Sequence, residues 1–157
     1  MKELRPWEIL DSRVILDKAP YLTVRQDRVR LADGRVVEDY YRVDMVEHVV
    51  IFAETADGRV LMERNYKHGV GRVNLTLPAG YLEKGEAPLT TARRELLEET
   101  GYEADGWRSL GAYVMSANQG AGKAHIFTAA NARLVQPPDD GDLEEIEVML
   151  LSREELK

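Results

Sequence analysis

Gly80-Tyr81-Leu82-Glu83-Lys84-Gly85-Glu86, followed closely by Thr90-Thr91-Ala92-Arg93-Arg94-Glu95-Leu96-Leu97-Glu98-Glu99-Thr100-Gly101-Tyr102, is the stretch around which the chain is organised. Residues three and four apart stack along a helix, so the second run is read as a helix with Glu95, Glu98 and Glu99 on one face. Like charges at that spacing weaken an isolated helix by roughly 0.2–0.5 kcal/mol per pair, so a positive partner is expected among them. A hard divalent cation fits, because Mg²⁺ or Mn²⁺ takes carboxylate and carbonyl oxygen and is completed by water and substrate phosphate. Arg94 precedes Glu98 by four residues, the weaker order for a helical ion pair, and its expected use is to orient a glutamate. Leu89, Ala92 and Leu96 form an apolar stripe that anchors the helix on a core. Gly101 suits the left-handed position after the last turn.

The rest of the composition bounds the answer. A chain of 157 residues suits one domain, taken as 1–157 with 1–43 as an N-terminal β-subregion. A net charge of −7 argues against a nucleic-acid partner, which calls for a basic face. Without cysteine there is neither a disulfide framework nor a thiolate zinc site. Met1-Lys2-Glu3-Leu4-Arg5 lacks an apolar signal region, and no stretch approaches ~18 apolar residues. The expectation is a cytoplasmic protein with no membrane partner.

Outward from the central stretch the pattern is largely that of strands. Trp7–Leu16, Leu22–Leu31 and Arg35–Val43, with the hairpin signal Asp33-Gly34, predict a small N-terminal antiparallel sheet whose edges invite a partner chain. Val46–Ala53 and Val60–Arg64 around Asp57-Gly58 read as a buried hairpin. Arg64-Asn65-Tyr66-Lys67 supplies cations and an aromatic ring just before Leu77-Pro78-Ala79-Gly80, a rim at which Arg64 and Lys67 engage phosphate and Tyr66 a base or sugar. Arg42 is a further cation able to reach an anionic ligand. Trp107–Met115 and Lys123–Ala129 read as strands separated by a flexible loop, Ser116–Gly122, at the expected mouth of the site. His48 and His125 read as packed rather than catalytic. Pro137–Glu145 reads as a loop, Ile146–Leu151 as a strand, and Ser152–Leu156 as the start of a terminal helix with a capping box.

Gly80, Glu86, Arg94, Glu95, Leu96, Glu98, Glu99 and Gly101 match, position by position, the signature of the Nudix hydrolases, and the chain resembles that family. Tyr102 alone departs, standing where the pattern has an aliphatic residue. The resemblance implies an α/β fold, the Nudix α/β/α sandwich with a mixed sheet. The flanking segments resemble the ADP-ribose pyrophosphatase and nucleoside-diphosphate-sugar hydrolase branch, in which the N-terminal strands commonly build a homodimer. What it implies is Mg²⁺-dependent hydrolysis (Mn²⁺ substituting) of a nucleoside diphosphate linked to another moiety, giving a nucleoside monophosphate and a sugar phosphate.

In residue terms the resemblance implies metal ligation by Glu95, Glu98 and Glu99, by the Ala79 carbonyl, and by a late-loop carboxylate, Glu144, with Asp142 or Glu145 as substitutes. Glu98 or Glu144 would accept the proton, and Arg94 belongs to the catalytic set. The branch often carries Ser-Pro-Gly where this chain has Ser116-Ala117-Asn118, so GDP-mannose and other nucleotide sugars stand beside ADP-ribose. A dinucleoside-polyphosphate or nucleoside-triphosphate hydrolase, and a non-catalytic nucleotide-sugar sensor, are the alternatives. NADH cleavage is disfavoured because the four-cysteine zinc module of that branch is absent.

Overall fold

The computed structural model describes residues 4–139 and 145–157, and these divide between two compact units, Met1–Val46 with Val114–Lys123, and Glu47–Tyr113 with Ala124–Lys157.

In the first unit, β1 (Glu8–Lys18), β2 (Leu22–Arg30) and β3 (Val36–Met45) form an antiparallel sheet in the order β1-β2-β3. Asp33-Gly34 makes the expected hairpin, with Gly34 at φ +89°, a conformation that favours a residue without Cβ. The central strand carries a buried acid, Asp27. Ser12 Oγ donates to Asp27 Oδ1 at 2.6 Å, and Arg42 donates to both its oxygens. Segment Ser116–Gly122 differs from the loop expected of it. Ala117–Gly120 make a four-residue turn between the ends of two strands, and its Gln119 and Asn118 carbonyls accept from the Val43 N–H and the Tyr40 hydroxyl of β3.

The second unit is a mixed sheet carrying one α-helix among the described residues. Its strands are β4 (His48–Thr55), β5 (Val60–Lys67), β6 (Arg72–Thr76), β7 (Ala79–Tyr81), β8 (Tyr102–Ser116), β9 (Ala121–Leu134) and β10 (Glu147–Leu151). The order is β10-β5-β4-β9-β8, with β6 paired to β5 and β7 to β4. Only β4 and β9 run parallel among the registered pairs. Val49, Ile51 and Ala53 alternate along β4 into the core, where they meet Leu61, Phe127, Ala129 and the α1 (Pro88–Thr100) residues Ala92 and Leu96. This is the α/β arrangement expected. Ser152–Leu156 departs from the terminal helix foreseen. Its capping box forms, with Glu155 Oε2 accepting from Ser152 N and Oγ at 2.8 Å, but the segment makes a turn. One turn fixes several dihedrals for one hydrogen bond, and without further turns that cost is not offset. Among the described residues, no helix is long and apolar enough to cross a membrane.

Candidate active site

The signature helix starts at Pro88, whose fixed φ and missing N–H suit a first turn, and stops at Gly101, φ +75°. A Cβ on Gly101 would lie 2.1 Å from the Gln136 carbonyl oxygen. The bare glycine therefore lets the segment after β9 cross the helix end, where the Val135 and Gln136 N–H groups donate to Gly101 O. The Asp139 N–H donates to Glu98 O at 2.8 Å, which anchors the start of the late loop on the last turn of α1. Of the late-loop carboxylates, Glu145 is exposed, while Glu144 and Asp142 lie outside the described residues.

The three glutamates share one side of the helix but sit at unequal depth. At 3.6 residues per turn, Glu99 lies about 20° from the core-facing Ala92, Glu95 about 60° and Glu98 about 120°. Depth follows angle. The Glu98 side chain is 48% exposed, whereas that of Glu95 is 12% exposed. Burial, opposed in part by Arg94, raises the Glu95 carboxyl above the usual carboxylate range. Burial and the neighbouring Glu63 push Glu99 up to about 9. Leu89, expected in the anchoring stripe, stays exposed in the first turn, and Thr91 is buried instead.

Arg94 organises the outer half of the cluster. Its Nε and Nη2 grip Glu86 at 3.2 and 3.0 Å. Its Nη1 is shared between Glu95 Oε1 at 2.8 Å and Glu98 Oε2 at 3.0 Å. Glu86 also accepts from Thr91 Oγ1 at 2.9 Å, and the Arg94 guanidinium holds its carboxyl down to about 2. The guanidinium is correspondingly raised by these partners. The inner half answers to the loop before the helix. Glu95 occupies the space over Gly80, where a Cβ would come within 1.9 Å of its carboxyl carbon. The Ala79 N–H donates to Glu99 Oε2 at 3.1 Å.

Among the described residues no three acidic or histidine side chains are set as a ready-made cage. The donor set nevertheless fits a hard divalent ion: all ligands are oxygen, one guanidinium faces several carboxylates, and the bare Gly80 leaves room for Glu95. Glu63 was not singled out by sequence reasoning, although a carboxylate directly after the apolar run Val60-Leu61-Met62 was its signal.

The substrate-facing residues expected from sequence fall apart into different settings. Arg64 pairs with Glu147 across β5 and β10 at 2.8 Å. Tyr66 is exposed and Lys67 half-buried at the end of β5. The Arg42 guanidinium is committed to buried Asp27 in the first unit. His125 Nε2 meets Glu47 Oε2 at 2.6 Å, and His48 packs edge-on against Tyr81, its pKa lowered by burial and by His125.

This constellation is matched at the level of families. A NUDIX domain model matches residues 45–157, and the nucleoside diphosphate sugar hydrolase N-terminal domain matches residues 7–43. The chain belongs to the Nudix hydrolase family, in the branch that couples the catalytic domain to that N-terminal sheet. Among its relatives is the ADP-ribose pyrophosphatase of Bacillus subtilis (strain 168), 31% identical over 159 residues, covering 99% of this chain and 83% of the relative. The ADP-ribose pyrophosphatase of Mycobacterium tuberculosis (strain ATCC 25618 / H37Rv) is 38% identical over 103 residues, covering 63% and 48%. A crystal structure of an ADP compounds hydrolase superposes with a TM-score of 0.82 at 22% identity, over 97% of this chain and 81% of that one, a likeness of fold.

Proposed function

We propose that the protein hydrolyses the diphosphate of a nucleotide sugar, ADP-ribose first among them, with Mg²⁺ as cofactor and Mn²⁺ as a substitute. The observation that carries this reading is the surplus of buried carboxyl groups on the signature helix and behind it, which Arg94 alone does not neutralise. The N-terminal domain match and the names of the relatives support the nucleotide-sugar class.

Glu95 and Glu99, with the Ala79 carbonyl, Glu98 and Glu144, would hold the cation. When bound, it neutralises the diphosphate oxygens and lowers the pKa of the attacking water. In the reaction the water oxygen bonds to one phosphorus and the bridging P–O bond breaks. The bridging oxygen leaves on the second phosphate, yielding a nucleoside monophosphate and a sugar phosphate. Glu98 or Glu144 takes the water's proton, and Arg94 keeps Glu95 and Glu98 aimed during that transfer. Tyr66 and Lys67 offer a ring and a cation at the end of β5, with Arg64 beside them once released from Glu147. Arg42 is left out, since Asp27 already balances it.

A homodimer is part of the same reading. Ile9, Val14, Ile15 and Leu16 of β1 are 40–53% exposed, an apolar edge that a second copy would cover. Product analysis on ADP-ribose, GDP-mannose, UDP-glucose, diadenosine polyphosphates and nucleoside triphosphates, with and without Mg²⁺, tests the function. Mg²⁺-dependent release of nucleoside monophosphate from a nucleotide sugar is expected. Turnover confined to triphosphates, or binding with no turnover, would overturn it.

A further inference from the structure

β5 buries Val60, Leu61, Met62 and Glu63 in succession, so a carboxyl with 1% exposure directly follows three buried apolar residues. Burying such a group costs several kcal/mol, by an order-of-magnitude estimate, unless hydrogen bonds repay it. Stability by itself favours valine or isoleucine at this place. The cross-strand neighbours bring no countercharge: Thr76 faces Glu63 from β6 and Val148 from β10. What faces it comes from the helix: Leu61, two residues earlier and so on the same face of β5, meets Ala92 and Leu96 of α1 in the core, and on that face Glu63 lies close enough to Glu99 to raise its carboxyl. The Glu99 carboxyl is thus met from two directions, by the Ala79 N–H, which donates to Oε2, and by Glu63 from the sheet.

We propose that Glu63 is a positioning residue for the divalent cation, fixing the Glu99 carboxyl from the sheet side while the Ala79 N–H fixes it from the loop. Cation affinity then depends on a β5 residue outside the signature helix. This rests on the reading of Glu99 as a ligand. A ligand carboxylate with a fixed rotamer loses less freedom on binding, and hydrogen-bonding neighbours of this kind are worth about 10–100-fold in metal affinity.

The experiment is a titration of the metal-free, full-length protein with Mn²⁺ alone, read by the electron paramagnetic resonance of free Mn²⁺ and by calorimetry. It compares wild type, Glu63→Val, Glu63→Thr, Glu63→Gln and Glu99→Gln, with a thermal melt of each. Glu63→Val is expected to weaken Mn²⁺ binding about 10–100-fold with a melting midpoint no lower than wild type. Glu63→Thr, too short to reach Glu99, gives the same loss and replaces the valine variant if that one does not fold. Glu63→Gln retains a hydrogen-bonding group of the same length and is expected to restore affinity to within about threefold of wild type. Wild-type affinity in Glu63→Val or Glu63→Thr, alongside loss in Glu99→Gln, overturns the role of Glu63 and leaves the cation site standing. Absence of Mn²⁺ binding by the wild type removes the cation site and this proposal with it.

Discussion

Arg42 and Arg94 hold carboxylates in opposite ways. In the N-terminal sheet, Arg42 meets one buried acid, Asp27, and the two charges cancel. The Arg42 hydrogen bond holds the Asp27 carboxyl below its usual range, and the guanidinium is raised in return. On the signature helix, Arg94 meets Glu86, Glu95 and Glu98, with Glu99 and Glu63 deeper still. Glu86 is held down, whereas Glu95 and Glu99 are raised. The first arrangement is saturated and structural. The second gathers more carboxyl groups than its one guanidinium can pair, two of them raised, and that surplus marks the proposed site of chemistry.

The widest separation of the two regions should come from their acids. Glu99→Gln is expected to lower Mg²⁺-dependent turnover by at least about 100-fold while the protein melts cooperatively at a midpoint no lower than wild type. Asp27→Asn should do the reverse. It should destabilise by about 1–3 kcal/mol in urea denaturation, with turnover per folded molecule unchanged.

Two glycines sharpen the contrast within the second unit. At Gly80 the atoms a Cβ would meet belong to the movable end of Glu95, so Gly80→Ala should cost roughly tenfold or more in Mg²⁺-dependent turnover and little in melting temperature. At Gly101 the obstacle is the Gln136 backbone and φ is positive, so Gly101→Ala should cost stability first, by about 1–3 kcal/mol.

A smaller effect follows from pH. Asp27 and Glu86 both titrate below their ordinary values in the folded protein, so their contribution is complete above those values and is lost as the pH falls through the folded ones. For Glu86 the window runs from about 4.5 down to about 2. Melting temperature should therefore drop on acidification across that range, and Arg94→Lys, which loses the bidentate grip on Glu86, should flatten the drop. An unchanged acid limb in Arg94→Lys would contradict the pairing.

Most of this organisation was legible in the residues. The signature spacing exposed the helix, its glycine stop and the carboxylates because each is local: a 3.6-residue period and a left-handed cap are written within one turn of chain. The hairpins at Asp33-Gly34 and Asp57-Gly58 were legible for the same reason. What escaped depended on distance. Glu63 becomes meaningful only when the face of β5 that carries Leu61 meets the core side of α1, and Arg42 passes for a ligand cation until β2 brings Asp27 beside it. The face shared by Glu95, Glu98 and Glu99 was visible, but their unequal depth required knowing which side of the helix meets the sheet. The tip at Ser116–Gly122 read as a loop because its partners, Tyr40 and Val43, lie far away in sequence.

The most direct test of the surplus-carboxyl account is calorimetric titration of Mg²⁺ into wild type, Glu99→Gln and Asp27→Asn in the presence of ADP-ribose at a temperature where turnover is negligible. Saturable binding that disappears in Glu99→Gln and persists in Asp27→Asn is the predicted result. Equal binding in all three, or none in the wild type, would contradict the account.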